Sequence, residues 1–454
     1  MIRKIPLILP VETHVRELDA KLLLAAVAAE SGRVCYIGSQ NTIRARIGNL
    51  PRGHFIAKGF ASRKARFLKI LKKLGFTNLA WDEEGLVHPE PAVYYKRRIS
   101  PQSLKLLDGV FSWGQDYTSL FVGMPFYDET PVYETGNPRL DLLDERVRKF
   151  FDEDVRQHRE KFGSFILLNS NFGRINSAVR RSRDKGVAGK LTDPVQDAKW
   201  QAMIEHRRQL YHHFREMFAG LCEAFPNHNI VLRPHPSERI ESWHDIPAKY
   251  SNAHVVYEGN VLPWLLAADI LVQNGCTTAL ESVLLNKPVI AYQPVTSTEH
   301  DWHLPNDVSH KAKSQVELVD MLNGHLERKV PLTVTSKQAA VLMPFVIHDS
   351  TQLCSDRIVK LLDELDAERQ LDPPLLQKTL ARLQASARAA EKALRSLIPG
   401  DIYAPWHQDK QFPDYTVEDI EAKLDRLRLA TGRFNRVHVT KVRPKLFKLD
   451  ATHQ

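Results

Sequence analysis

Cysteine is scarce in this 454-residue chain, and its four copies, Cys35, Cys222, Cys276 and Cys354, stand far apart with no CxxC spacing. That argues against a disulfide framework and supplies no zinc-ligand pattern, so a reducing cytoplasm and no metal site are expected. Long apolar runs are missing too. Stretches such as Phe165–Leu168 and Ile270–Val272 are a few residues long, far below the roughly 18 needed to cross a bilayer. The start, Met1-Ile2-Arg3-Lys4, leads into a short apolar stretch broken by Pro6 and Pro10, with no small-residue cleavage site. It reads as a first β-strand and not as a secretory leader. Repeats, low-complexity tracts, zinc fingers and RNA-binding signatures are also lacking, so nucleic acid is not an expected partner.

What is present describes a folded, two-domain chain. Hydrophobic residues make up 43% and charged residues 26%, near the averages for globular proteins. The length suits two α/β domains and an extension at roughly 100–200 residues per domain. A net charge of +9 favours acidic partners. Basic residues are spread widely except in the tail Arg433–Lys448. Through that tail an anionic membrane surface is an expected partner, which would make the protein peripheral to the inner membrane.

Short apolar runs alternate with helical ones from the start. Ile5–Val11, Val34–Gly38, Phe55–Lys58, Asn78–Trp81, Gly109–Ser112 and Val132–Thr135 read as strands, with helices over Val15–Ser31, Gln40–Ile47 and Ser62–Leu74 among them. A second series, Ser164–Leu168, Asn229–Arg233, Ala253–Tyr257, Ile270–Gln273 and Pro288–Tyr292, follows with a long helix at Asp197–Phe225 and another near Ser242–Tyr250. This rhythm predicts an α/β fold of two Rossmann-like lobes with parallel sheets, 1–150 and 160–368, and a helical extension with a basic tail, 372–454. The polar, basic stretch Gly173–Thr192 reads as a mobile loop over a cleft.

Ligands of open α/β sheets bind beyond the carboxyl ends of the strands, so strand-end residues are the candidates. Strand Asn229–Arg233 runs into Pro234-His235-Pro236. The flanking prolines restrict the backbone and present the His235 ring, whose N–H suits a phosphate oxygen, while Arg233 adds a positive charge. Strand Ile270–Gln273 ends in Asn274-Gly275-Cys276-Thr277-Thr278 and then a helix, the composition of an anion site. Glu258, at the end of another strand, suits a ribose diol. Asn169, Ser170 and Asn171 follow the second lobe's first strand and are candidates for the donor pocket. In the first lobe, Asp82-Glu83-Glu84-Gly85 places three acids in one strand-end turn, where repulsion and burial raise one of them toward the range of a general base. Glu12, Arg16 and Glu17 follow the first strand as further acceptor-side or catalytic candidates. Ordinary turn, cap and surface-charge chemistry accounts for each of these segments taken alone.

In this order, Glu83-Glu84-Gly85, His235-Pro236 and Thr277-Thr278 resemble the D/E-D/E-G, HP and paired Ser/Thr motifs of bacterial sialyltransferases and Kdo transferases, with Glu258 where the ribose-binding acid falls. Over residues 5–365 the chain more closely resembles the surface carbohydrate biosynthesis proteins. The residues that carry this are Pro10-Val11-Glu12-Thr13, Arg16-Glu17-Leu18-Asp19, Gly136-Asn137-Pro138-Arg139 and Arg233-Pro234-His235-Pro236-Ser237-Glu238. Teichoic-acid polymerases, which use CDP-alcohols, are also similar in their GxPR-like, HP and hydroxyl-pair segments. The hydroxyl pair here is threonine, not serine.

The resemblance implies a GT-B fold, a CMP-activated sugar as donor and no separate cofactor or obligatory metal. The donor would lie on Arg233, His235, Glu258, Asn274, Thr277 and Thr278, with Arg16, Asn137, Arg139, Asn169 and Asn171 toward substrates. The expected activity is transfer of a nonulosonate or Kdo-type acid onto a surface polysaccharide or lipid-linked glycan acceptor. Glu83 is the first choice of base, with Glu84, Glu12 and Glu17 behind it. CDP-alcohol transfer, nucleotide-sugar epimerisation and a non-catalytic scaffold are the alternatives.

Overall fold

The computed structural model describes residues 4–452 apart from 89, 178–193, 348, 350, 368–371 and 399. The chain divides into two compact units, Met1–Phe150 with Met343–Gln454, and Phe151–Leu342.

The first unit holds β1 (Leu7–Val11), β2 (Cys35–Ser39), β3 (His54–Ala57), β4 (Thr77–Ala80), β5 (Gly109–Phe111), β6 (Val132–Tyr133), β13 (Val437–Arg443) and β14 (Leu446–Ala451). Their order in the sheet is β13-β14-β2-β1-β3-β4-β5-β6. Strands β1 to β6 are parallel to their neighbours, whereas β14 runs antiparallel to β2 and to β13. Every residue of β1 is buried, as expected of a parallel strand covered on both faces. The helix His14–Glu30 is buried from Glu17 to Ala29. Its Leu-Leu-Leu-Ala-Ala-Val-Ala-Ala run has no polar face, and helices Cys354–Ala367 and Val417–Thr431, with β14, cover it.

The domain boundaries expected from sequence need correction here. Residues 343–368 do not go with the second lobe, and 372–454 is no separate helical extension. Arg33 is fully buried and pairs with Asp363 at 2.6 Å and Asp366 at 2.9 Å. Asp141 accepts the backbone N–H groups of Cys354 and Ser355 at 2.6 and 2.8 Å, capping the returning helix. A buried guanidinium requires such counter-charges, so these partners bind the returning chain to the first unit. The basic tail forms the β13–β14 hairpin, in which Lys441, Lys445 and Lys448 pair with Asp414, Asp409 and Asp450.

The second unit holds β7 (Phe165–Asn169), β8 (Asn229–Arg233), β9 (Ala253–Val255), β10 (Ile270–Gln273), β11 (Val289–Tyr292) and β12 (His310–Ala312). All pair in parallel in the order β12-β11-β10-β7-β8-β9. Numbered from β7, this is the Rossmann order, and its direction reverses between β7 and β10, where such sheets bind ligands. Helix Pro194–Ala224 covers one face through Phe214, Met217, Phe218 and Leu221. The helix expected near Ser242–Tyr250 is a short 3-10 turn, Ile240–Trp243. Most of the loop expected at Gly173–Thr192 lies outside the described residues. The parallel, doubly wound sheets of both units are as the sequence predicted. Among the described residues no helix is long and apolar enough to cross a membrane.

Candidate functional site

In the second unit, three turns that leave β7, β8 and β10 at their carboxyl ends are joined by side-chain hydrogen bonds. Asn169 Nδ2 donates to Thr278 Oγ1 at 3.0 Å, and Asn171 Nδ2 donates to the Gly275 carbonyl at 2.9 Å. Gly275 has φ of +62°, and a Cβ there would lie 3.0 Å from the Trp302 ring, so only glycine fits the turn without strain. Its N–H donates to Asn306 Oδ1 at 3.0 Å.

Glu238 is the hub of the other half. It is buried, and Oε1 accepts from Ser170 Oγ (2.7 Å), Phe172 N (2.9 Å) and His235 N (3.1 Å). Oε2 accepts from Asn176 Nδ2 (3.4 Å) and Trp243 Nε1 (3.3 Å). Burial raises the Glu238 pKa, and these donors only partly oppose it. One carboxylate therefore fixes the β7 turn to the loop that carries His235. Glu238 carried no separate role in the sequence analysis, although it closes the segment Arg233-Pro234-His235-Pro236-Ser237-Glu238.

The half-buried His235 ring is held by its own loop. Ser237 N donates to His235 Nδ1 at 3.2 Å, and the Ser237 hydroxyl lies 2.8 Å from the same nitrogen. With Nδ1 accepting a backbone N–H, the proton of the neutral ring is on Nε2. Arg233 points elsewhere. Its guanidinium donates to the carbonyls of Glu258 (2.9 Å) and Gly259 (3.1 Å) and lies over the Trp264 ring. Burial pulls its pKa down to about 10. Arg233 thus positions the loop of Glu258, whose own side chain is exposed.

The threonine pair divides. Thr278 is buried, accepting from Asn169 and donating to Cys276 Sγ at 3.1 Å, whereas Thr277 is exposed at the helix start with no side-chain cap bond. Asn274 is buried, with Nδ2 on the Tyr292 carbonyl at 2.7 Å. Of the residues expected to hold a donor in this unit, His235, Glu258, Thr277 and Asn171 keep surface toward solvent, while Asn169, Asn274 and Thr278 are internal.

In the first unit the carboxyl ends of β1, β3 and β4 meet in a charged network. Lys21, Glu17 and Glu83 are buried, with Lys21 Nζ 2.8 Å from Glu17 Oε2 and 2.7 Å from Glu83 Oε1. Lys58 bridges Glu12 (2.5 Å) and Glu17 (2.9 Å). Glu17 also accepts the N–H groups of Glu12 and Thr13, and Trp81 Nε1 donates to Glu83 at 2.8 Å. Burial alone would raise the Glu17 pKa, but Lys21, Lys58 and the backbone donor outweigh it and hold it well below the usual carboxylate range. Burial likewise opposes ionisation of Glu12, and Lys58 overturns it, leaving that pKa lowered. The spacing Glu17 to Lys21 is the i,i+4 pair of a helix, the one part of this network visible in the sequence.

In the turn after β4 the pKa of Asp82 is raised. Burial is the main cause, against Arg98 and the Tyr94 hydroxyl at 2.7 Å. Glu84 is exposed and pairs with Arg16 and Arg98. Arg16 and Arg139 both reach the Glu83 carbonyl at 3.4 Å. Asn137 is buried as the cap of the short helix Pro138–Asp141, accepting from Arg139 N at 3.0 Å. Of the four candidate bases, Glu17 and Glu83 are internal ion-pair members, while Glu12 and Glu84 retain an open face.

No protein-family model matches the sequence, and no curated protein matches it. Solved structures do. The wall teichoic acid polymerase TagF is 13% identical over 69% of this chain and 73% of its own, with a TM-score of 0.44. MnaA of S. aureus with UDP is 12% identical over 81% of this chain and 99% of its own, with a TM-score of 0.47. The UDP-GlcNAc 2-epimerase of Neisseria meningitidis bound to UDP-GlcNAc is 13% identical over 72% and 81%, with a TM-score of 0.41.

Proposed function

We propose that this chain is a GT-B-type glycosyltransferase that takes a sugar from a cytidine-nucleotide donor and passes it to a surface polysaccharide or lipid-linked glycan. The observation that carries the reading is the hydrogen-bonded set of turns at the β7/β10 reversal, which holds an Nε2-protonated His235 beside turns that end in exposed polar groups. Such a donor suits the developing charge of a departing phosphate, the main electrostatic task of this transfer. Thr277 adds a hydroxyl and Glu258 a carboxylate for the ribose. In the first unit Glu12 is the base of choice. Its carboxylate is ionised through the neutral range and keeps an open face, whereas Glu83 anchors Lys21. Membrane association through the tail is the further part of this proposal, tested by salt-dependent sedimentation with anionic vesicles.

A thermal-shift panel of CMP, CDP, UDP and GDP tests the donor, since a ligand that binds only the folded state raises its stability. Stabilisation by cytidine nucleotides, lost in His235→Ala, is the expected result. Stabilisation by UDP alone would replace the donor. Epimerised free nucleotide-sugar formed without acceptor would replace the reaction, and no nucleotide response at all would refute the reading.

A further inference from the structure

Away from the groups assigned above, the first unit gathers cations without matching carboxylates. Helices Gln40–Arg46, Ser62–Leu74 and Leu375–Ser396 pack together. Their junction holds Arg44, Lys64, Arg388 and Lys392. The guanidinium groups of Arg44 and Arg388 both lie over the Phe67 ring, at 5.2 and 5.1 Å. Arg44 Nε and Arg388 Nη1 are buried with no hydrogen-bond partner. Lys392 donates to Asn41 Oδ1 at 3.3 Å and lies over the Tyr403 ring. The Lys64 ammonium forms no hydrogen bond or ion pair among the described residues, whereas its backbone N–H donates to the Ala61 carbonyl at 2.8 Å.

The surrounding charges do not neutralise this group. Lys64 faces Arg44, Arg63, Lys58 and Glu12, and Lys392 faces Arg44, Arg388, Arg395 and Glu391. Of the acids, Glu12 is already paired with Lys58, the nearby Asp401 is taken by Arg395, and Glu391 is exposed, a single carboxylate against four cations. Burial first, then the neighbouring guanidinium groups, push both lysines down to about 7. Buried donors without partners are costly, and like charges at close range add to that cost unless an anion enters. Arg forks and Lys ammonium groups together match the tetrahedral oxygens of a phosphate.

We propose that the junction of helices Gln40–Arg46, Ser62–Leu74 and Leu375–Ser396 binds a phosphate-class oxyanion, with Arg44 and Arg388 as its forks and Lys64 and Lys392 as its point charges. The first two helices follow β2 and β3, and Arg44 and Lys64 lie within electrostatic range of Glu12. If the transferase reading holds, on which this last step rests, the acceptor carries the phosphate.

The test uses the full chain at constant ionic strength, with inorganic phosphate or pyrophosphate replacing chloride. The wild type should gain about 5 °C or more in Tm at saturating anion. Arg388→Ala and Lys392→Gln should each lose most of that gain. Lys392→Gln should also be at least as stable as wild type in chloride, because it removes a repelling charge, a result that a merely structural role for Lys392 would not give. Calorimetry at pH 8 in buffers of different ionisation enthalpy should show proton uptake on phosphate binding, as the anion restores charge to the lysines.

A further gain on phosphatidylglycerol vesicles that Arg388→Ala abolishes would identify a lipid headgroup as the source, and saturation by pyrophosphate alone a soluble or glycan-borne phosphate. Equal responses to phosphate and chloride, or variants that respond as wild type does, would overturn the site. Wild type that binds cytidine nucleotides but not phosphate fails this inference alone. Phosphate binding without any cytidine response fails the donor reading alone.

Discussion

Glu238→Gln probes the hub of the second unit with almost no change in shape. The amide can retain one acceptor oxygen, and the best placement leaves it in the position of Oε1, serving Ser170, Phe172 and His235 at 2.7, 2.9 and 3.1 Å. The amide nitrogen then faces two donors, Asn176 Nδ2 and Trp243 Nε1. Trp243 Nε1 is then left without an acceptor and Asn176 Nδ2 keeps only the Arg239 carbonyl at 3.1 Å, which together cost about 2–4 kcal/mol. Removing a carboxylate that burial already disfavours offsets part of this, so a net loss of about 1–3 kcal/mol is expected. At roughly 2–4 °C per kcal/mol, the second unit's transition should fall by about 2–12 °C. Cytidine affinity should fall less than in His235→Ala, because the bond to His235 N is retained. Urea denaturation followed by circular dichroism measures the first effect and calorimetry the second. Trp243→Phe removes the stranded donor, so the double variant should be more stable than the sum of the singles by about 0.5 kcal/mol or more. Strict additivity, or a Glu238→Gln protein as stable as wild type, would refute the role given to this carboxylate.

His235→Ala should weaken CMP or CDP binding by about 1.5–3 kcal/mol, the range for a charge-assisted hydrogen bond, as read by calorimetry. Lys21→Met leaves Glu17 and Glu83 buried with one ammonium fewer, and denaturation should show a loss of about 3–5 kcal/mol. Glu12→Gln should lower turnover by about 100-fold or more with nucleotide affinity intact. Glu83→Gln should lower stability first, and a fully stable but inactive Glu83→Gln would return the base to that residue. Lys64 and Lys392 hold a proton less readily when folded, down to about 7 from 10.5. The unfolded chain therefore binds more protons above pH 7, and their contribution to stability rises with pH through that window. In chloride, the wild type should gain stability from pH 7 to 8.5 relative to Lys64→Met/Lys392→Met.

Local physics made the elements legible. Apolar runs such as Leu7–Val11 and Ile270–Val272 formed buried parallel strands, and the helix expected over Val15–Ser31 formed over His14–Glu30. Strand ends named the residues of the turns, His235, Asn171 and Thr277 among them, because in a parallel sheet those positions share one edge. The sequence alone therefore determined two doubly wound units and the strand-end positions from which a site would be built. It did not determine which polar residues face solvent and which are internal. Glu83 and Glu84 are adjacent and alike in sequence, yet one is buried on Lys21 and Trp81 and the other is exposed beside Arg98. Nor did it show that residues 343–454 rejoin the first unit, since the partners of Arg33 lie some 330 positions away. Tertiary structure decided these matters because the energy of a charge depends on its dielectric surroundings and its counter-charges, and folding brings those together from distant parts of the chain.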